Sequence, residues 1–145
     1  MASEPGRVLA LDYGTKRVGV ALSDPLRVLA SGVGTWANDA ALLPALAKLV
    51  QDEMVALVVV GMPYAPDGGK GAKAREVDMF MQRLGAVVQV PLTTWDESYT
   101  SVEAHRAFRE GGMRKKQRRE RASVDTMAAR ILLQQYLDAQ PAHQG

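Results

Sequence analysis

Three acidic residues stand where acids are least comfortable. Asp12 ends an apolar strand, Val8-Leu9-Ala10-Leu11, that reads as central to a sheet. Glu97 follows Leu92-Thr93-Thr94-Trp95-Asp96, at the carboxyl end of a second strand signal. Ligands collect at such strand ends in open α/β sheets. Asp125 has Ala128, Ala129, Leu132 and Tyr136 at helical spacing after it, so it lies on the apolar face of an amphipathic helix. Each acid has a plainer reading. Aspartate opens turns by bonding backbone amides, and acids favour helix N-termini, with Ser123 as the cap for Asp125. Those readings do not explain an acid on an apolar face, because a buried carboxylate needs a positive partner. Glu103, by contrast, completes a capping box with Thr100 and is given no chemistry.

Three converging carboxylates repel one another, so something positive must hold them together. The chain has no cysteine and only two histidines, His105 and His143. Thiolate sites, disulfides and multi-histidine zinc are therefore excluded. An all-oxygen site for Mg²⁺ or Mn²⁺ is the natural fit for Asp12, Glu97 and Asp125. Two such ions about 4 Å apart can activate water and stabilise a leaving oxygen in phosphodiester cleavage.

The charge distribution points the same way. Between Ser101 and Arg121 there are eight basic residues (Arg106, Arg109, Arg114, Lys115, Lys116, Arg118, Arg119 and Arg121) against three acids, whereas the rest of the chain holds ten basic and thirteen acidic residues. A positive patch on a mildly acidic body suits a nucleic-acid backbone. Lys16 and Arg17, just past Asp12, join Arg106, Arg109, Arg114, Lys115, Lys116, Arg118 and Arg119 as candidate nucleic-acid contacts. The stretch from Arg114 to Arg121 is expected to be an exposed loop beside the site.

The elements that must position these groups alternate along the chain. Strand signals cover Arg7 to Tyr13, Arg17 to Ser23 and Val28 to Trp36, the first pair forming a hairpin through Gly14-Thr15-Lys16. Asn38 offers an N-cap for a helix to Gln51, whose start Pro44 shifts forward. Val55 to Val60 is apolar on both faces and reads as a buried parallel strand. Ala72 to Leu84 is a second helix, Val87 to Val90 a short strand that Leu92 to Trp95 extends, and Thr100 to Phe108 a third helix. A last helix spans Ala122 to Leu137. The outcome is one α/β domain, residues 1–138, with a mixed sheet of about five strands, helices on both faces, and a polar tail at 139–145.

A chain of 145 residues, 47% hydrophobic and 23% charged, can bury a core without staples. No apolar run approaches the roughly 20 residues of a membrane span, and no secretory signal is visible. A cytoplasmic location is expected.

The run from Leu11 to Asp24, LDYGTKRVGVALSD, resembles the opening motif of the YqgF/RuvX family. Gly61-Met62-Pro63, Asp96-Glu97 and Ser123-Val124-Asp125-Thr126-Met127-Ala128-Ala129 resemble its later motifs in the same order, so the resemblance runs from about Arg7 to Leu137. It implies an RNase H-like fold and a nuclease that processes the 5′ end of precursor 16S ribosomal RNA, a family earlier described as Holliday junction resolvases. It also implies that Asp12, Glu97 and Asp125 are the metal-binding acids. One departure is visible: the family often has an arginine after the Asp-Glu pair, where this chain has Ser98. A phosphate contact from that position would have to come from Arg106 or Arg109.

Other functions compete with this one. A junction resolvase would use the same acids in a symmetric dimer on four-way DNA. A non-catalytic nucleic-acid-binding module would keep the basic patch without turnover. An ATPase of the actin or sugar-kinase type also opens with Asp-x-Gly-Thr but needs two lobes and a longer chain. The apolar stripes Leu42-Leu46-Leu49, Val77-Phe80-Met81-Leu84 and Ala128-Ile131-Leu132-Tyr136 are all needed to cover the chain's own sheet. Only Met79 and Leu133 lie off them, so a monomer or weak homodimer acting on RNA is expected. Trp95 and Tyr99 flank Glu97 and could stack on bases, as in single-strand binders, but packing is the favoured reading for both.

Overall fold

The structure is a computed structural model. It describes residues 6–63, 69, 71–96 and 117–141, with backbone alone for 117–123. Eight elements follow in order: β1 (Arg7–Asp12), β2 (Arg17–Ser23), β3 (Ala30–Ala37), α1 (Leu42–Asp52), β4 (Val55–Met62), α2 (Ala72–Gly85), β5 (Leu92–Asp96) and α3 (Gln117–Ala139). The sheet order is β3-β2-β1-β4-β5. The first three strands form an antiparallel meander, whereas β4 and β5 run parallel to β1. The expected mixed five-stranded α/β sheet is present.

Strand alternation divides the core in two. Leu9, Leu11, Val18, Val20, Val58, Val60 and Met62 face α1 and α2, packing with Leu46, Phe80 and Leu84. Val8, Ala10, Ala21 and Val59 point the other way, under Ala129, Leu132, Leu133 and Leu137 of α3. Helices thus cover both faces. The run Val58-Val59-Val60 is fully buried because its neighbours on either side are strands and its two faces meet different helices.

Several boundaries differ from expectation, each for a local reason. The third strand starts at Ala30, not Val28, because the Asp24 carboxylate takes the N–H groups of Leu26, Val28 and Leu29 at 3.0, 2.8 and 2.7 Å. Those amides are spent on a turn and cannot join a ladder. Asn38 does not cap α1. Its amide donates to the Gly14 carbonyl at 2.9 Å and its N–H to that of Lys16 at 3.0 Å, clamping the β1–β2 turn. Asp39 instead accepts the N–H of Ala41 at 2.9 Å, and α1 begins at Leu42 with Pro44 in its first turn. Residues 87–90 form no strand. Val87 and Val88 donate to the Leu84 carbonyl at 3.0 Å, prolonging the helix end, and β5 begins only after Pro91.

The last helix starts at Gln117 rather than Ala122, so Ser123 lies inside it and not at the expected N-cap position. Arg118, Arg119 and Arg121 are helical, which corrects the loop expected for the second half of the basic segment. Arginine and glutamate are good helix formers, and Gln117-Arg118-Arg119-Glu120-Arg121 contains no breaker. Leu133, expected off the packed stripe, is fully buried, because α3 lies flat on the sheet and buries adjacent positions 132 and 133 together. Met79 is exposed, as expected. Thr100 to Phe108 lies outside the described residues.

Candidate functional site

Asp12 is the last residue of β1, and it faces the α3 side with Val8 and Ala10 by alternation. Its neighbours across the sheet are unusually small. Asp12 stands opposite Gly19 of β2, and Gly19 stands opposite Thr35 of β3. On the other side Leu11 pairs with Val60, so the next step of the parallel ladder sets Asp12 beside Gly61, which pairs with Trp95 of β5. The row is Thr35–Gly19–Asp12–Gly61–Trp95. A glycine thus stands on each side of Asp12 in the row.

The strand end is held firmly. Tyr13 turns to the opposite face and packs against Phe80 of α2, ring centroids 4.9 Å apart. A side chain on Gly14 would strike the Arg17 carbonyl at 2.5 Å, so the tight turn requires glycine there. Thr15 donates to the Glu76 carboxylate at 3.2 Å. These contacts and the two bonds from Asn38 fix the turn that carries Lys16 and Arg17.

Asp125 arrives from above. The backbone of α3 crosses so close that a Cβ on Gly19 would lie 2.1 Å from the Asp125 carbonyl oxygen. Gly19 stands opposite Asp12 in the β1–β2 ladder, so α3 brings Asp125 over the strand next to Asp12, on the same face. The next residue anchors the helix: the Thr126 and Thr35 hydroxyls are 2.6 Å apart, and a Cβ on Gly32 would meet the Thr126 methyl at 2.7 Å. The Asp125 carboxylate is half-buried, and its Oδ2 receives Nε of Arg17 at 3.0 Å. The positive partner demanded by an acid on this face is therefore an arginine of β2.

Asp12 and Asp125 are the described residues that could hold a hard divalent cation. Both offer carboxylate oxygen on the same face of the sheet, and a guanidinium already sits against one of them. Among the described residues no third acidic, histidine or cysteine side chain completes a metal-sized group. Glu97 lies just beyond β5, outside the described residues, as do Arg106, Arg109, Arg114, Lys115 and Lys116. Lys16 is exposed on the turn. Arg118 and Arg119 belong to the first turn of α3.

The direction of α3 matters for that basic segment. Gln134, nine residues after Asp125, bonds the Ala30 N–H at 2.9 Å and the Val28 carbonyl at 3.0 Å, near the far end of β2 and β3. The helix thus runs away from the site, and its first eight residues, about 12 Å of backbone, continue past the strand ends. Trp95 packs edge-on against Tyr136, centroids 5.6 Å apart, which bears out its reading as a packing residue. Three features of the site escaped sequence reasoning: the Arg17–Asp125 pair, the Thr35–Thr126 bond and the glycine-flanked row. The glycines at 19 and 61, inside otherwise apolar strands, were the available signal, since a strand glycine marks close approach of another backbone or ligand.

The family model described as RuvX, Holliday junction resolvase, matches residues 6–139. The chain belongs to the RuvX family. Among its RuvX relatives, a protein of Roseiflexus sp. (strain RS-1) is 41% identical over 142 residues, covering 97% of this chain and 99% of that relative. One from Chlorobium luteolum is 40% identical over 134 residues, covering 92% and 94%. Both carry the name "Putative pre-16S rRNA nuclease". Among solved structures, T. thermophilus RuvC in complex with a Holliday junction substrate superimposes with a TM-score of 0.56 at 13% identity, over 92% of this chain and 94% of that one. The RuvX chain therefore has the RNase H-like fold that the strand order and opposed helix layers describe.

Proposed function

We propose that the chain is a metal-dependent nuclease that hydrolyses phosphodiester bonds in ribosomal RNA precursors, acting at the 5′ end of precursor 16S rRNA. The observation that carries this reading is the placement of Asp12 and Asp125 on one face at one strand end, from elements more than a hundred residues apart. The substrate follows the names of the relatives, which align over nearly their whole length.

Asp12, Asp125 and Glu97 would hold Mg²⁺ or Mn²⁺ through carboxylate oxygens. Such ions supply an activated water and stabilise the oxygen that leaves phosphorus. The chain's own groups do the rest. The Thr35–Thr126 bond and the Gly19 contact fix Asp125 over the strand ends, and the Asn38 clamp fixes the turn after Asp12. Lys16, Arg17 and the basic residues from Arg106 to Arg119 bind the phosphate backbone, a contact without sequence preference. Placing positive charge along the start of α3, beyond the sheet, leads the strand toward the carboxylates.

The description of the family model favours a second reading, cleavage of four-way DNA junctions. That activity requires paired cuts about a two-fold axis and hence a symmetric dimer. The two readings separate on substrate. Purified protein is incubated with matched single-stranded RNA, single-stranded DNA and four-way junctions in Mg²⁺ or Mn²⁺, with light scattering at micromolar concentration. The proposed function predicts RNA cleavage by a monomer or weak dimer. A tight dimer making symmetric nicks in junctions, with RNA untouched, establishes the second.

A further inference from the structure

Arg17 sits where a cation belongs. Its Nε lies 3.0 Å from Oδ2 of Asp125, and both side chains are about one-third exposed, 32% and 30%. The two partners differ in freedom. Asp125 rides on a helix whose backbone touches Gly19 and whose next residue is bonded to Thr35, so its carboxylate has little room to relocate. Arg17 has its backbone in the β2–β3 ladder opposite Ala37, but its side chain is long and reaches the site from the rim. Breaking the pair therefore takes only rotation of the guanidinium into solvent, with no change in the core.

A divalent ion bound at Asp125 and a guanidinium at the same carboxylate would compete for oxygen lone pairs and repel each other. We propose that Arg17 is an exchangeable counter-ion: it holds Asp125 in place without metal, yields that carboxylate to the divalent ion, and is thereby released to bind a nucleic-acid phosphate. This rests on the metal-dependent reading above. The guanidinium suits the second task, because its planar fork of donors matches a phosphate as well as it matches a carboxylate. Release of the fork would couple metal loading to substrate grip at one residue, without movement of any strand or helix.

The sign of one substitution tests the exchange. Mn²⁺ binding is measured without nucleic acid, by electron paramagnetic resonance of the free ion, on wild-type protein and on Arg17→Gln and Arg17→Lys. Removing the competing charge should tighten Mn²⁺ binding roughly three- to tenfold. Arg17→Lys, which keeps the charge, should stay near wild type, and circular dichroism confirms the fold of each variant. A parallel titration follows single-stranded RNA in EDTA and in Ca²⁺, with uncut RNA verified on a gel. The gain in RNA affinity on adding the ion should shrink in Arg17→Gln. Equal or weaker Mn²⁺ binding by Arg17→Gln overturns the exchange while leaving the metal site standing, since an arginine that merely orients Asp125 would weaken binding when lost. Tighter Mn²⁺ binding with an unchanged RNA gain overturns the release to phosphate. No Mn²⁺ binding by any of the proteins overturns both the exchange and the metal-dependent reading.

Discussion

Gly19 and Asp125 meet backbone to backbone: a Cβ on Gly19 would stand 2.1 Å from the Asp125 carbonyl oxygen. Gly19 also stands opposite Asp12 in the β1–β2 ladder, so this contact seats the Asp125 backbone on the strand beside Asp12. Gly19→Ala should therefore push α3 off the sheet. The expected cost is about 1–3 kcal/mol, as for overpacking in a close-packed core, with a fall of several degrees in Tm. Cleavage should fall more steeply than stability, because Asp125 moves relative to Asp12. Thermal melts and initial rates on the same preparation check both.

The Thr35–Thr126 hydroxyl pair should behave as a unit. Either Thr35→Val or Thr126→Val removes the bond between the two hydroxyls and should cost about 1 kcal/mol. The double variant should cost clearly less than the sum of the two. Denaturant melts of all four proteins close the cycle, and additive losses would show that the 2.6 Å contact contributes no coupling.

Asp24 gives a pH dependence of stability. Burial is the largest single effect on its pKa and raises it, but the N–H groups of Leu29, Val28 and Leu26 favour the carboxylate and together hold it below the ordinary value. A folded-state pKa lowered in this way stabilises the protein above the unfolded value of about 3.9, and the stabilisation is lost as pH falls through the lower folded value. Asp24→Asn should thus be less stable than wild type at pH 7, and the gap should close below about pH 4. Melts at pH 7, 5 and 3 read the gap directly. A gap that widens in acid contradicts the assignment.

The basic segment should act through charge rather than sequence. Replacing Lys115, Lys116, Arg118 and Arg119 with alanine should weaken binding of unrelated single-stranded RNAs to a similar degree. It should also flatten the dependence of log affinity on log salt by about 0.7 for each lost phosphate contact. An unchanged slope would show that these residues form a solvated surface with no part in binding.

Much of the framework was legible because local pattern and fold agree. The β2 strand, Arg17–Ser23, is bounded by a turn at one end and Asp24-Pro25 at the other, and alternation within it was visible. The run Val55 to Val60 declared itself as a strand buried on both faces. The errors fell where a side chain from elsewhere redirected the backbone. Asn38 has the composition of a cap but is drawn to the β1–β2 turn, and Val28 and Leu29 have strand composition but give their amides to Asp24. At the site, the sequence marked Asp12 and Asp125 by position and face. The identity of the cation beside Asp125 was hidden, because Arg17 is 108 residues away and meets it only when α3 folds back over β2.

Metal binding by the carboxylates at this strand end, for phosphodiester cleavage, is probed at its root by Asp12→Asn. The change removes a charge and almost no volume, so the fold should persist by circular dichroism. Wild-type protein and the variant are incubated with a precursor 16S rRNA 5′-end fragment in Mn²⁺, in Mg²⁺ and in EDTA, and products are resolved on a sequencing gel. Cleavage by wild type should stop in EDTA and return when the ion is restored, with none above background from Asp12→Asn. Cleavage by the variant at the wild-type rate, or by wild type in EDTA, would contradict that role for the carboxylates.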